Sequence, residues 1–103
     1  MKVYYYQSAH GATPVLDFLL ALPVQDSAPI FALIQAIGDY GLEVADRRHI
    51  RGKLWELRPD RYRIFYAVLH GDVWLLHAYK KQGAKAPPRE IRIALRRLKE
   101  VDD

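Results

Sequence analysis

Apolar and polar positions alternate along this chain with two different periods, and the change of period marks out its elements. Residues 3–6 are β-branched and aromatic, which predicts a first strand. Ser8 to Ala12 reads as a loop. Thr13 and Pro14 read as a helix start, because Thr can cap and proline at the first helical position gives up no needed N–H. The short helix that follows carries Val15, Leu16, Phe18, Leu19 and Leu20, and Pro23 ends it. Ile30, Leu33, Ile34 and Ile37 then recur at helical spacing. Pro29 is awkward inside a helix, so the regular helix is expected to begin near Ala28, capped by Asp26 or Ser27. Gly41 is the expected stop.

Residues 43–52 are polar and read as a loop. Strands are expected over 53–58, 61–70 and 73–80, separated by the turns Pro59-Asp60 and Gly71-Asp72. Residues 82–88 form a loop whose two prolines block further strand. A last helix over 89–101 carries an apolar stripe of Ile91, Ala94, Leu95 and Leu98. The expected order is β-α-α-β-β-β-α. The expected fold is α+β, a curved antiparallel sheet covered on one face by helices, two of them N-terminal and one C-terminal.

The length of 103 residues fits one domain spanning 1–103. There is no cysteine, which excludes disulfides, thiol chemistry and cysteine-bound metal. No apolar run suits a membrane span or a signal-peptide core, so a cytoplasmic protein is expected. Charge changes the picture more. Residues 1–46 carry one Lys/Arg against five Asp/Glu, a net of −4, while residues 47–103 carry fifteen against seven, a net of +8. A basic half on a small domain fits either a polyanion partner or a solvated surface.

No phosphate-binding glycine loop and no zinc motif occurs, and the histidines at 10, 49, 70 and 77 lack metal-ligand spacing. The candidate chemistry is a cluster of cations and phenols. Arg58, Arg61 and Arg63 fall within six residues. Strand alternation puts Arg61, Arg63 and Phe65 on one face and Tyr62, Ile64 and Tyr66 on the other. His77, Tyr79 and Lys81 share a face opposite Ala78 and Lys80. Arginine grips phosphate with a bidentate fork, and aromatic rings stack on unpaired bases. Strand arginines also commonly pair with acids, for which Glu56 and Asp60 are available, and a histidine in an apolar strand is commonly a satisfied core residue. On the last helix Arg89, Arg92, Arg96 and Lys99 form a basic stripe, either a solvated face or a guide for RNA.

Leu54-Trp55-Glu56-Leu57-Arg58, Tyr62-Arg63-Ile64-Phe65-Tyr66 and Leu75-Leu76-His77-Ala78-Tyr79-Lys80-Lys81 resemble the central strands of HigB-like toxins of the RelE/ParE superfamily. Thr13-Pro14-Val15-Leu16-Asp17-Phe18-Leu19 and Pro87-Pro88-Arg89-Glu90-Ile91 extend the resemblance over nearly the whole chain. It implies a metal-free and cofactor-free mRNA interferase acting on the ribosome, silenced by a cognate antitoxin, often of helix-turn-helix type. Arg63 matches the family arginine and is the first candidate for the scissile phosphate, followed by Arg58, Lys80 and Lys81. Tyr66, Tyr79 and His77 are the available proton carriers, with none assigned as base. Lys53, Arg61, Arg89, Arg92, Arg96 and Lys99 are the candidate RNA contacts. A gyrase-blocking ParE-like toxin, a degenerate antitoxin-binding module and a non-catalytic nucleic-acid binder remain alternatives.

Overall fold

The computed structural model describes residues 1–102. Its elements are β1 (Val3–Tyr5), α1 (Pro14–Leu20), α2 (Val24–Tyr40), a 3-10 turn (Leu42–Val44), β2 (Arg47–Arg51), β3 (Leu54–Leu57), β4 (Tyr62–Leu69), β5 (Asp72–Lys80) and α3 (Pro88–Val101). The five strands form one sheet in the order β1-β5-β4-β3-β2. Among the described residues, no helix is long and apolar enough to cross a membrane.

The α+β class and the three helices are as expected, and five details differ. The segment 43–52 holds a strand, β2, which pairs antiparallel with β3. As an edge strand it is solvated on most positions, so its sequence lacks the alternating apolar signal of a half-buried strand. The sheet is also not wholly antiparallel, since β1 pairs parallel with β5. Helix α2 begins at Val24, one turn before the expected start, and runs through Pro29. Pro29 is exposed, and burial of Ile30, Ile34 and Ile37 against the sheet offsets its cost of about 3 kcal/mol. Asp26 does not cap the helix; its carboxylate accepts a 2.7 Å bond from the Tyr62 hydroxyl.

Helices cover both faces of the sheet, not one. On the first face, Val15 and Leu19 of α1 and Ile30, Ile34 and Ile37 of α2 pack on Leu57, Tyr62, Ile64, Tyr66, Val73 and Leu75. On the second, Ala94 and Leu98 of α3 pack on Leu54, Phe65, Ala67, Leu76 and Tyr79. A bulge in β5 adjusts this second face. Phe65 pairs with His77 and Tyr66 with Leu75, leaving Leu76 as the extra residue. His77 stacks beside Phe65 and Tyr79 as a result.

The β4–β5 hairpin turns on His70 and Gly71, with φ of 52° and 81°, and Leu69 faces Asp72 across it. Two left-handed residues in a two-residue loop make a type I′ turn, which favours Asn-Gly. His70 is exposed and bears the strain of a non-glycine side chain there. The variant His70→Asn is therefore expected to raise stability by about 0.5–1 kcal/mol, read as a higher urea midpoint at unchanged slope.

Candidate functional site

A cleft opens at the end of the sheet where β3 and β5 finish and β4 starts. Five cations line it: Arg48 of β2, Arg58 after β3, Arg63 of β4, and Lys81 and Lys85 of the loop after β5. Glu56, Tyr79 and the loop backbone around Gly83 complete the walls. Strand pairing assembles the floor. Arg48 sits opposite Glu56, Glu56 opposite Phe65, and Arg63 opposite Tyr79. Two backbone bonds beyond the regular ladder hold the rim: the Arg58 N–H donates to Asp46 (3.0 Å) and the Lys81 N–H to Arg61 (2.8 Å).

The floor contains a buried carboxylate. Glu56 is 3% exposed and Arg63 is 7% exposed, with Nε 4.0 Å from the Glu56 Oε1. The Tyr79 hydroxyl donates to the other Glu56 oxygen at 3.0 Å. An ionised carboxylate out of water must be paired or hydrogen-bonded, and Glu56 is both. Arg63 Nη1 donates to the main-chain carbonyls of Asp60 (2.8 Å) and Tyr62 (2.7 Å). Asp60 holds a left-handed φ of 55° in the turn that supplies one of those carbonyls. Burial, and then the bond to Glu56, push the Tyr79 phenol well above its ordinary value, so it stays protonated as a donor.

Of the residues singled out by sequence, Arg58, Arg63, Tyr79 and Lys81 meet in the cleft. Lys80 is exposed on the strand end and does not line it. Tyr66 is 1% exposed and belongs to the opposite core face with α1 and α2. His77 lies under α3, where its Nε2 is 2.6 Å from Glu90 Oε1 and its Nδ1 is 3.3 Å from Arg97 Nη1. Arginine can only donate, so Nδ1 accepts and Nε2 carries the proton given to Glu90. His77 thus ties β5 to α3, aided by Arg97 donating to the Leu76 carbonyl at 2.9 Å. Lys53 pairs with Asp102 at 2.9 Å, and Arg61 lies 3.8 Å from Asp60. Arg89, Arg92, Arg96 and Lys99 are exposed along α3.

Sequence reasoning missed Arg48 and Lys85 as cleft residues, and it named Glu56 only as a possible ion partner. The one signal for Arg48 was the lone Gly52 at the end of the polar stretch, a turn residue that by itself does not mark a hairpin; its φ of 54° in the β2–β3 turn is seen only in the structure. Lys85 sits in an irregular loop and had none. No group of His, Asp and Glu suited to a metal occurs among the described residues.

Two predictions follow from the burial. Arg63→Ala strands the Glu56 carboxylate and two carbonyls, and is expected to cost about 3–5 kcal/mol in urea unfolding; Glu56→Gln added to that variant should recover part of the loss. Burial lowers the His77 pKa, and Arg97 adds to this while Glu90 opposes it. The unfolded chain then binds a proton that the folded one refuses, so stability falls as pH drops below the ordinary histidine value of about 6.5. Unfolding of wild type and His77→Gln across that range should show a shallower acid loss in the variant.

A family model described as phage derived protein Gp49-like (DUF891) matches residues 17–99. No curated protein matches the chain.

Proposed function

The chain belongs to the Gp49-like family of phage-derived proteins, a RelE/HigB-like toxin family, and on that premise we propose that it is the mRNA-cleaving toxin of a type II pair. The observation that carries the reading is the convergence of Arg48, Arg58, Arg63, Lys81 and Lys85 on one cleft. Five cations around one buried carboxylate make a seat for a phosphodiester.

In the proposed reaction the 2′-oxygen of a ribose attacks the adjacent phosphorus. The bond to the 5′-oxygen breaks, leaving a cyclic phosphate and a 5′-hydroxyl. The transition state carries extra negative charge on the non-bridging oxygens, which Arg58 and Lys81 meet from the rim. Arg63 has Nη1 occupied by carbonyls, so its contribution to the phosphate comes from its remaining N–H groups and its field. Glu56 is the carboxylate of the cleft and takes the 2′-OH proton, oriented by the Tyr79 hydroxyl. A lysine ammonium, Lys81 or Lys85, protonates the departing oxygen. No cofactor enters this scheme.

The exposed row of Arg89, Arg92, Arg96 and Lys99, with Lys53 and Arg61, supplies sequence-independent attraction for the RNA backbone. A cognate antitoxin, of helix-turn-helix type in the HigB-like branch, is the expected partner, and ribosome-bound mRNA the expected substrate.

The test is primer extension on mRNA during in vitro translation. Wild type should produce new 5′ ends, and Arg58→Ala and Lys81→Ala should lower their rate about 100-fold or more while remaining folded. Wild-type protein that cuts nothing but inhibits gyrase would replace this reading with a ParE-like one. Wild-type protein that does neither, yet binds antitoxin, would leave a non-catalytic module.

A further inference from the structure

A second cavity lies away from the cleft and shares no lining residue with it. Its volume is about 230 Å³. A water needs only about 10–15 Å³ by the same measure, so a long side chain has room here. One wall is the first turns of α2, where Gln25, Asp26, Pro29 and Ile30 share a side of the helix. The other wall is the β3–β4 turn, Pro59 and Asp60, with Tyr62 at the start of β4.

The chemistry of these walls is one-sided. Pro29, Ile30 and Pro59 give rigid apolar surface. Among the lining side chains only the Gln25 amide and the Tyr62 hydroxyl can donate, and the hydroxyl is already spent on Asp26 at 2.7 Å. Acceptors are in excess. Asp26 and Asp60 each bring a carboxylate. Pro29 has no N–H, so the Gln25 carbonyl one turn earlier lacks its helical donor. No lysine or arginine lines the cavity, and none occurs anywhere in α1 or α2. Two positive influences stand nearby. Arg61 is 3.8 Å from Asp60, but both side chains are largely exposed and such a pair holds little. The start of α2 adds about half a positive charge. Two carboxylates outweigh both. Apolar surface continues outside the cavity: Val24, next to Gln25, is 77% exposed, and Leu20, at the end of α1, is 66% exposed.

We propose that this cavity seats an arginine side chain of a protein partner, with the partner's neighbouring apolar residues lying on Val24 and Leu20. The aliphatic stem packs between Pro29, Ile30 and Pro59, and the guanidinium meets Asp26 and Asp60. Arginine suits the site because it brings five donors to an acceptor-rich rim and buries its stem on apolar ground. The two prolines hold the walls in shape before the partner arrives, which lowers the cost of binding. RNA is repelled from this acidic side, so the surface goes beyond the RNA reading and does not depend on it. The site still touches the cleft through the backbone. Asp60 and Tyr62 offer their main-chain carbonyls to Arg63 Nη1 at 2.8 and 2.7 Å. A partner seated here grips the turn that holds the buried arginine of the cleft, without entering the cleft.

The experiment is amide NMR titration of the full chain with the blocked tripeptide acetyl-Leu-Arg-Leu-amide. The comparison probe carries citrulline, the uncharged isostere, in place of arginine. The arginine peptide should give saturable shifts at Gln25, Asp26, Ile30, Asp60 and Tyr62, with a millimolar Kd. The citrulline peptide should bind about tenfold more weakly. Asp26→Asn keeps an oxygen for the Tyr62 hydroxyl, and Asp60→Asn suits the left-handed φ of 55° at that position, so both variants should stay folded. Each should weaken the arginine peptide about threefold or more and leave the citrulline peptide unchanged. Gln25→Lys, an exposed substitution that adds a cation to the rim, should act in the same direction. Arg58→Ala, which alters only the cleft, should bind the peptide as wild type does.

Equal binding of the two peptides would overturn the proposal, because the cavity would then take any apolar group. Shifts spread over Asp17, Asp39 and Glu43 as strongly as over the cavity would overturn it as well, leaving only a general attraction to the acidic side. Peptide binding lost in Arg58→Ala but kept in Asp26→Asn would place the peptide in the cleft instead. An absence of saturable shifts with wild type would remove the site. None of these results bears on RNA cleavage, which primer extension decides separately.

Discussion

A carboxylate buried in the middle of a sheet has to be answered from the strands on either side of it, and Glu56 sets that condition here. Arg63 answers from β4 and Tyr79 from β5. Each is fixed by the pairing of its own strand, so the register of three strands and the compensation of one charge are a single problem. Removing either partner leaves the charge exposed to a low-dielectric surround, whereas the pair together is nearly neutral in its effect on stability. Such an arrangement is weak evidence for stability and stronger evidence for position. It holds a cation and a carboxylate at the floor of the cleft, while Arg48, Lys81 and Lys85 are exposed around it.

Charge is sorted in space as well as in sequence. The acidic first half makes α1 and α2, which cover the sheet face opposite the cleft. The basic second half supplies the cleft, the β2 edge and α3. A polyanion approaching this molecule meets an attractive side and a repulsive one. That polarity favours one docking orientation and makes association sensitive to salt.

Much of this was legible in the residues, and the misses have physical causes. Ile30, Ile34 and Ile37 gave α2, and Tyr62 to Tyr66 gave β4, because each has a continuous buried face. β2 escaped because an edge strand with exposed Arg47, Arg48, His49 and Arg51 carries no apolar period. The parallel partner of β1 cannot be read from local pattern, since Val3 and Val73 meet only in the folded chain. Arg63 lines the cleft, but its burial was not foreseeable from alternation, which says which face a side chain takes and not how deeply it is covered. His77 was read both as a satisfied core histidine and as a candidate proton carrier, and its bonds to Glu90 and Arg97 under α3 have the character of the first.

The parallel pairing of β1 with β5 has a consequence in time. β1 is the first element to leave a ribosome, yet its only sheet neighbour ends at Lys80. Its backbone groups wait for a partner made some seventy residues later, as does the Lys2 N–H that bonds Asp72. The cleft likewise takes Lys81 and Lys85 from the last quarter of the chain. Closing so distant a contact is entropically late. The sheet therefore completes only near the end of synthesis, and a chain abandoned midway by its ribosome has neither a finished sheet nor a finished cleft. For a protein of a toxin family, incompleteness is itself a form of silence.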